Sequence, residues 1–447
     1  MTAIGTAIQE EVQRRYQPYH AYKDSGVEWL GKIPEHWQES KVKYLGRYIN
    51  GYPFKPEDWS GDGLPIIRIQ NLTNPETSFN RFAGEINPRC RVSSGDILIS
   101  WSASLGIFIW SGEEDGWLNQ HIFKVSPRED IVDRHFFIWL GDWFIRELQK
   151  EAHGSTMTHL TNNMFGGFRV ELPPFSEQRA ITAFLDRETA RIDALVAKKQ
   201  RLIELLQEQR TALITRAVTK GLDPTVPMKD SGVEWLGEIP EHWEVAKTWR
   251  LFSAISGGTP AKDEAAYWEG EIPWVSPKDM KRRFIETSED MITELALAET
   301  GVKLIPNPSI LVVVRGMILA HTFPVAITTA PVTINQDMKA LQLRSNVAHS
   351  FIAWLFEGIG SALLGVVVEN AAHGTKVIRM DKWHSVQLPV PPIDEQPVIA
   401  KHLDRETVQI DKLISRVRDA IKRLEELRTA LISAAVTGKI DVREEFG

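Results

Sequence analysis

At 447 residues, 43% of them apolar, the chain has room for about three domains of roughly 150 residues and enough apolar surface to bury real cores. Its one cysteine, Cys90, excludes an internal disulfide and a multi-cysteine zinc site, and agrees with a reducing compartment. A net charge of −7 with a pI near 6.0 argues mildly against a nucleic-acid partner, although SPKDMKRRF (276 to 284) and KVKYLGRY (41 to 48) are locally basic.

The N-terminal MTAIGTAIQEEVQRR lacks a signal-peptide core. The apolar run SILVVVRGMILA from Ser309 is shorter than the roughly 20 residues of a membrane helix and contains Arg315. A cytoplasmic protein without a membrane segment is expected. Residues 1–37 end in the loop KDSGVEWLGKIPEHW (23 to 37), which returns at 229 to 243 as KDSGVEWLGEIPEHW. With no helical or strand period, it reads as an ordered loop pinned by Trp29 and Trp37, and in its second copy by Trp235 and Trp243.

Residues 38–175 and 244–393 are two middles that resemble each other weakly. Each has an early Gly turn (INGYPFK, SGGTPAK), a Pro-led strand (LPIIRIQNL, IPWVSPKDM) and a β-branched strand (GDILIS, SILVVV). Each then has an Asn-Gln pair (Asn119-Gln120, Asn335-Gln336) and a His-Gly turn (His153-Gly154, His373-Gly374). Short apolar runs broken by Gly and Pro, beside amphipathic stretches such as RHFFIWLGDWFIRELQKE, predict mixed strands and helices, an α+β class.

A second repeat covers residues 176–221 and 394–447, with a linker and the second loop at 222–243. Glu177 returns as Glu395, Asp186 as Asp404 and Arg210 as Arg428, each shifted by 218, whereas the loop shifts by 206, from Lys23 to Lys229. The segment between the repeats is therefore longer by 12, the difference of 218 and 206. Leu403, Ile410, Val417, Leu424 and Leu431 stand seven apart, with Ile399, Leu413, Ala420 and Leu427 on the neighbouring seam. Leu185, Ile192, Leu206 and Leu213 match them in the first copy. Ser176 and Asp394 stand where an N-cap belongs, and Gly221 and Gly438 follow the last turns as stops. About 40 residues make a rod on the order of 60 Å. Two near-identical rods, each with one apolar stripe, are expected to pair with each other; the alternative is that each joins a separate bundle or drives oligomerisation.

Catalytic constellations are hard to find. Gly26 to Lys32 has phosphate-loop spacing, but Ile33 stands where a magnesium-binding hydroxyl is needed and the second copy has Glu238 in place of lysine. The Asn-Pro pairs at Asn74, Asn87 and Asn307 lack the Pro-aromatic continuation of an amine methyltransferase. His36 and His242 read as packing and hydrogen-bonding residues, and no His-Glu-x-x-His or nucleophile elbow occurs. A duplicated chain without such a constellation reads as a two-site recognition module.

Duplex DNA suits two readers held at a fixed distance. Candidate phosphate and base contacts are Lys55, Arg68 and Asn71 in the first domain. In the second they are Thr259, Lys262, Ser276, Lys278, Lys281, Arg282, Arg283, Arg315, Thr375 and Lys376. Taken singly, each is more often an ordinary surface residue.

These residues resemble the specificity subunits of Type I restriction-modification systems. The resemblance rests on the twice-used loop, on PPxxEQxxI (Pro173 to Ile181, Pro391 to Ile399), on LDRET and RTALI, and on SGGTPAKDEAAYWEGEIPWVSPKDM. NGYPFK in the first half departs from the GGTP form of the second. The resemblance implies two target recognition domains, each reading one half of a split, asymmetric DNA site of roughly three to five base pairs per half. It implies a spacer of two antiparallel helices, two modification subunits that bring S-adenosylmethionine and methylate adenine, and motor-nuclease subunits that use ATP and Mg. The chain itself would be non-catalytic and bind no cofactor or metal. Two alternatives stand beside this one: a coiled-coil assembly scaffold without DNA, and the recognition subunit of a fused restriction-methylation system that cuts on both sides of its site.

Overall fold

The computed structural model describes residues 3–27, 30–74, 76–152, 162–344, 346–371 and 374–446. Trp29, His153, Gly154 and His373, singled out above, lie outside them. The five longest helices are α1 (Ala3–Arg15), α2 (Arg134–Ala152), α3 (Phe175–Lys220), α4 (His349–Val367) and α5 (Glu395–Val436). The chain divides into two compact units, one of Met1–Lys199 with Arg418–Gly447, the other of Gln200–Val417.

In the first unit one sheet runs Gly46–Asn50, Ile122–Pro127, Ile97–Ser100, Gly106–Ile109, all antiparallel. Its strand Ile97–Ser100 is buried along its whole length, as an apolar β-branched strand requires when both its faces are covered. A second sheet sets Leu64–Ile67 parallel to Gly116–Leu118. Helix α2 fills the core with Phe136, Phe137, Leu140 and Phe144.

The second unit repeats the strand order: Phe252–Ser256, Met338–Leu343, Ile310–Val313, Val325–Thr328, with one extra edge strand, Phe284–Ile285. Here Trp268–Val275 runs parallel to Thr333–Ile334. Helix α4 is long and apolar enough to cross a membrane, more so than the run from Ser309, yet Phe351, Ile352, Leu355, Phe356 and Leu363 are buried in the domain core.

The duplicated 15-residue stretch is not only loop. Tyr22–Asp24 pairs antiparallel with Lys32–Pro34, and Met228–Asp230 with Glu238–Pro240, strands too short to leave a period in the sequence. Trp37 and Trp243 are completely buried, while Trp235 is half-buried.

Within the first unit, Arg428 of α5 pairs with Asp193 of α3 at 3.0 Å, and Leu431 and Ala435 pack with Ile181, Leu185 and Ile192. Within the second, Arg210 of α3 meets Asp411 of α5 at 3.2 Å. The helices pair antiparallel. Helix α3 begins at Phe175, so Ser176 is in the first turn and Pro174 supplies the carbonyl that accepts from Glu177 and Gln178. Asp394 does directly precede α5, and Gly221 and Gly438 end the helices with φ of +74° and +67°, a conformation open to glycine.

The expected seams are partly corrected. Leu185, Ile192, Leu403, Ile410 and Leu431 are buried; Leu206, Leu213, Val417 and Leu424 are half-buried, and Leu413 is 47% exposed. Ile414 takes the buried place beside Leu413, and on α3 the buried isoleucines are Ile192, Ile203 and Ile214, eleven apart by their numbers. Eleven residues make three turns of a nearly straight helix, so the buried stripe leaves the strict seven-residue pattern.

Candidate nucleic-acid interface

The start of each long helix is a fixed anchor for its domain. The Glu177 carboxylate accepts from the Trp37 indole at 2.9 Å and from His36 at 2.8 Å, and the Tyr19 hydroxyl also donates to it. In the second unit Glu395 accepts from Trp243 and His242, each at 3.0 Å. The neighbouring glutamine braces the domain. Gln178 accepts from the Asp133 amide at 2.7 Å and donates to the Pro173 carbonyl at 2.9 Å. Gln396 does the same with the Ala348 amide and the Pro391 carbonyl, at 2.7 and 2.9 Å. The aspartate of LDRET takes an indole from the domain's core helix: Trp139 to Asp186 and Trp354 to Asp404, both 2.9 Å. The repeated motifs are thus a mounting that holds each mixed domain on the helix pair.

On each mounted domain the same junction stands at the meeting of the two sheets. In the first unit the Asn119 amide donates to the Ile67 carbonyl at 3.1 Å, and Tyr52 donates to Leu118 at 2.8 Å. In the second, Asn335 donates to Val275 and Gly258 to Ile334, each at 2.9 Å. A Cβ on Gly51 would overlap the Asn119 carbonyl, and one on Gly257 the Asn335 carbonyl. Glycine is needed there because two backbones touch. The residue after Ile67 is Arg68, whose amide is capped by Asn71; the residue after Val275 is Ser276, capped by Asp279. The two domains share this frame with little sequence in common.

The expected contacts fall into three groups. Turned inward are Asn71, Ser276 and Arg283. Asn71 is buried and also donates to Thr77 and Ser78; Ser276 is buried on Asp279. Arg283 bonds Glu357 at 2.9 Å and lies 3.5 Å over the Trp354 ring, with burial pulling its pKa down. These three hold the fold, which a single sequence conceals because buried and exposed polar residues look alike.

Exposed are Lys55, Lys262, Lys281, Arg282 and Arg315. Arg68 is half-exposed and lies 5.6 Å over the Trp59 ring. Lys278 is engaged by Asp290 at 2.9 Å, which holds its pKa up.

Brought together are Thr259 with Gln336, and Arg315 with Lys376. The Thr259 hydroxyl donates to Gln336, the Gly316 amide donates to the Lys376 carbonyl at 3.0 Å, and Thr375 is half-buried next to them. Gln120 and Gln336 were absent from the expected contacts, although the paired Asn-Gln spelling marked them. Beside Gln120 stand His121, 3.2 Å away, and Trp101, whose indole donates to the exposed Asn50 at 3.2 Å.

A family model described as the Type I restriction modification DNA specificity domain matches residues 34–205 and 240–423. The specificity subunit of the Escherichia coli type I restriction enzyme EcoR124I/EcoR124II is 37% identical over 211 residues, 46% of this chain and 48% of that one, so this chain spans about half of that relative's length. The putative type I restriction enzyme MjaX specificity subunit of Methanocaldococcus jannaschii is 23% identical over 434 residues, 93% of this chain and 96% of that protein. A chain from work on complex assembly and conformational transition of the type I R-M system superposes with a TM-score of 0.69 at 15% identity, over 90% of this chain and 98% of that one. The HsdS subunit of Thermoanaerobacter tengcongensis superposes with a TM-score of 0.52 at 14% identity, over 91% and 98%. Both structures are alike in fold.

Proposed function

The chain belongs to the Type I restriction-modification DNA specificity family, and from that premise we propose that it selects a split, asymmetric DNA sequence at which partner subunits act. The observation that carries this reading is one sheet frame built twice, each copy mounted on a long helix by the same Glu, Gln and Asp contacts, and each with different surface loops. A shared frame with unlike loops is how two readers come to prefer two different half-sites.

The first reader is residues 38–175 and the second 244–393, with 176–221 and 394–447 as the spacer. Duplex contacts come from the exposed cations Lys55, Lys262, Lys281, Arg282 and Arg315, with Arg68, Lys278, Thr259, Thr375 and Lys376 beside them. Leu202 and Leu205 on α3 are exposed and three positions apart, which suits a docked modification subunit. The twofold repeat suits two such subunits.

In this reading the modification subunits bring S-adenosylmethionine and methylate adenine, and the motor-nuclease subunits bring ATP and Mg. This chain targets that chemistry, and it works in the cytoplasm where the DNA is. A scaffold without DNA would show no salt-dependent duplex binding, and it leaves the two unlike loop sets without a purpose.

The test is long-read methylation mapping of DNA from cells that express the chain with its modification subunit. A split motif with one methyl-adenine per strand, lost when this chain is deleted, is expected. No motif with an intact partner would refute the reading.

A further inference from the structure

The glycine and asparagine of the shared junction have structural duties, but the glutamine that follows does not. Gly51 and Gly257 allow two backbones to touch, and Asn119 and Asn335 tie the parallel strand pair to the early turn. Gln336 is exposed, Gln120 is half-exposed, and among the described residues neither side chain is bonded to a backbone group. Two domains that share little sequence nevertheless place a glutamine amide at the same point of the same frame.

Resting on the specificity reading above, we infer that Gln120 and Gln336 each read the major-groove edge of an adenine, one in each half of the target. What two unlike readers share is suited to what their two half-sites share. A primary amide offers one donor and one acceptor side by side, which matches N7 and N6 of adenine in a bidentate pair. A phosphate accepts only and is served as well by a lysine or an arginine. The backing glycine brings the turn flush with the Asn carbonyl, so the amide projects from a rigid base. In the second unit the Thr259 hydroxyl donates to the Gln336 carbonyl oxygen, orienting the amide and leaving its NH2 group free to donate outward. In the first, His121 lies beside the Gln120 amide, and the Trp101 ring packs 5.2 Å from that imidazole.

The experiment selects duplexes from a library randomised in both half-sites, using the full chain bound to its modification subunit. The wild type is expected to enrich adenine at one position in each half. Gln120→Ala should lower that adenine preference by about tenfold to a hundredfold in one half only, and Gln336→Ala in the other half only. Gln120→Glu and Gln336→Glu keep the shape but remove the donor, and each should move the preference at its position toward cytosine, whose N4 amine donates to a carboxylate. Unchanged preference in these variants, or a uniform weakening on every sequence, would overturn the inference while leaving the specificity reading intact. A wild-type complex that selects no split sequence would overturn both.

Discussion

The Trp37 indole and the Glu177 carboxylate, 140 residues apart in the chain, are joined by a 2.9 Å hydrogen bond, and Trp243 and Glu395 repeat it at 3.0 Å. The two copies differ in burial. Glu177 is 3% exposed and also receives the Tyr19 hydroxyl, whereas the Glu395 side chain is 29% exposed. Glu177→Ala would leave three donors without their acceptor and should cost about 3 kcal/mol or more. Glu395→Ala, closer to water, should cost about 1–2 kcal/mol. Hydrogen exchange at Trp37 and Trp243 in each variant measures the difference. Equal losses would show that the burial difference does not matter.

Glu171 should make the first unit less stable as pH rises. It is 2% exposed, neither carboxylate oxygen has a hydrogen-bond partner among the described residues, and it faces Glu39 across the strand pair. Burial first, and then the Glu39 charge, push its pKa up to about 7, against the pull of Lys23 and Arg169. The folded state therefore holds a proton that the unfolded state releases near pH 4.3, and stability falls between about pH 4.5 and 7, by up to about 3 kcal/mol. Glu171→Gln should abolish that fall and leave the unit more stable than wild type at pH 8. Hydrogen exchange of the Arg169–Leu172 strand at pH 5.5 and 8 gives the comparison, and a parallel pH dependence in both proteins would exclude the carboxyl.

Arg283 and Arg210 share the Glu357 carboxylate, at 2.9 and 2.8 Å, and Arg283 lies over Trp354. Removing Glu357 would leave the mostly buried Arg283 without its carboxylate, while Arg210 would keep Asp411. Glu357→Ala should cost about 3 kcal/mol, whereas Glu357→Gln should recover part of it by hydrogen bonding alone. Denaturant titration of the second unit's tryptophan fluorescence reads both, and no gap between the two variants would sink the charge argument.

The spacing between half-sites should follow the helix pair. The Arg210–Asp411 contact sets the register, so Leu206, four residues earlier on α3, lies opposite Ser415, four later on α5. Four residues inserted after Leu206 and four after Ser415 add about 6 Å to both helices. The preferred gap should grow by about two base pairs with both half-sites unchanged. A methylated motif of unchanged spacing would refute the spacer role.

The repeat, the helices, and the glycine stops were legible because they are periodic or local. Gly221 and Gly438 ended their helices as their position suggested. Partnering was harder to read. Ser276, Asn71 and Arg283 have the side chains of DNA contacts. Ser276 and Asn71 instead cap short local turns, a spacing the sequence does carry, whereas Arg283 is turned to Glu357, 74 residues away, which no local pattern encodes. Leu413 and Ile414 are adjacent apolar residues on one helix, and the choice between them depended on slow drift of the buried stripe along the rod. Gln120 and Gln336 were visible as a repeated pair, but their importance rests on the glycine packing behind them, which only three dimensions supply.

The packing of Gly438 sets an order of events during synthesis. A Cβ there would be 3.2 Å from the Trp37 ring, so the loop that comes off the ribosome first is closed by a residue made about 400 positions later. The second compact unit ends at Val417. At about 5–20 residues per second, the first unit waits some tens of seconds from the making of Trp37 to that of Gly438. During that wait Leu185 and Ile192 lack Leu431. The half of the protein that is translated first is the last to be completed, because its core takes Leu431 and Ala435 from the end of the chain.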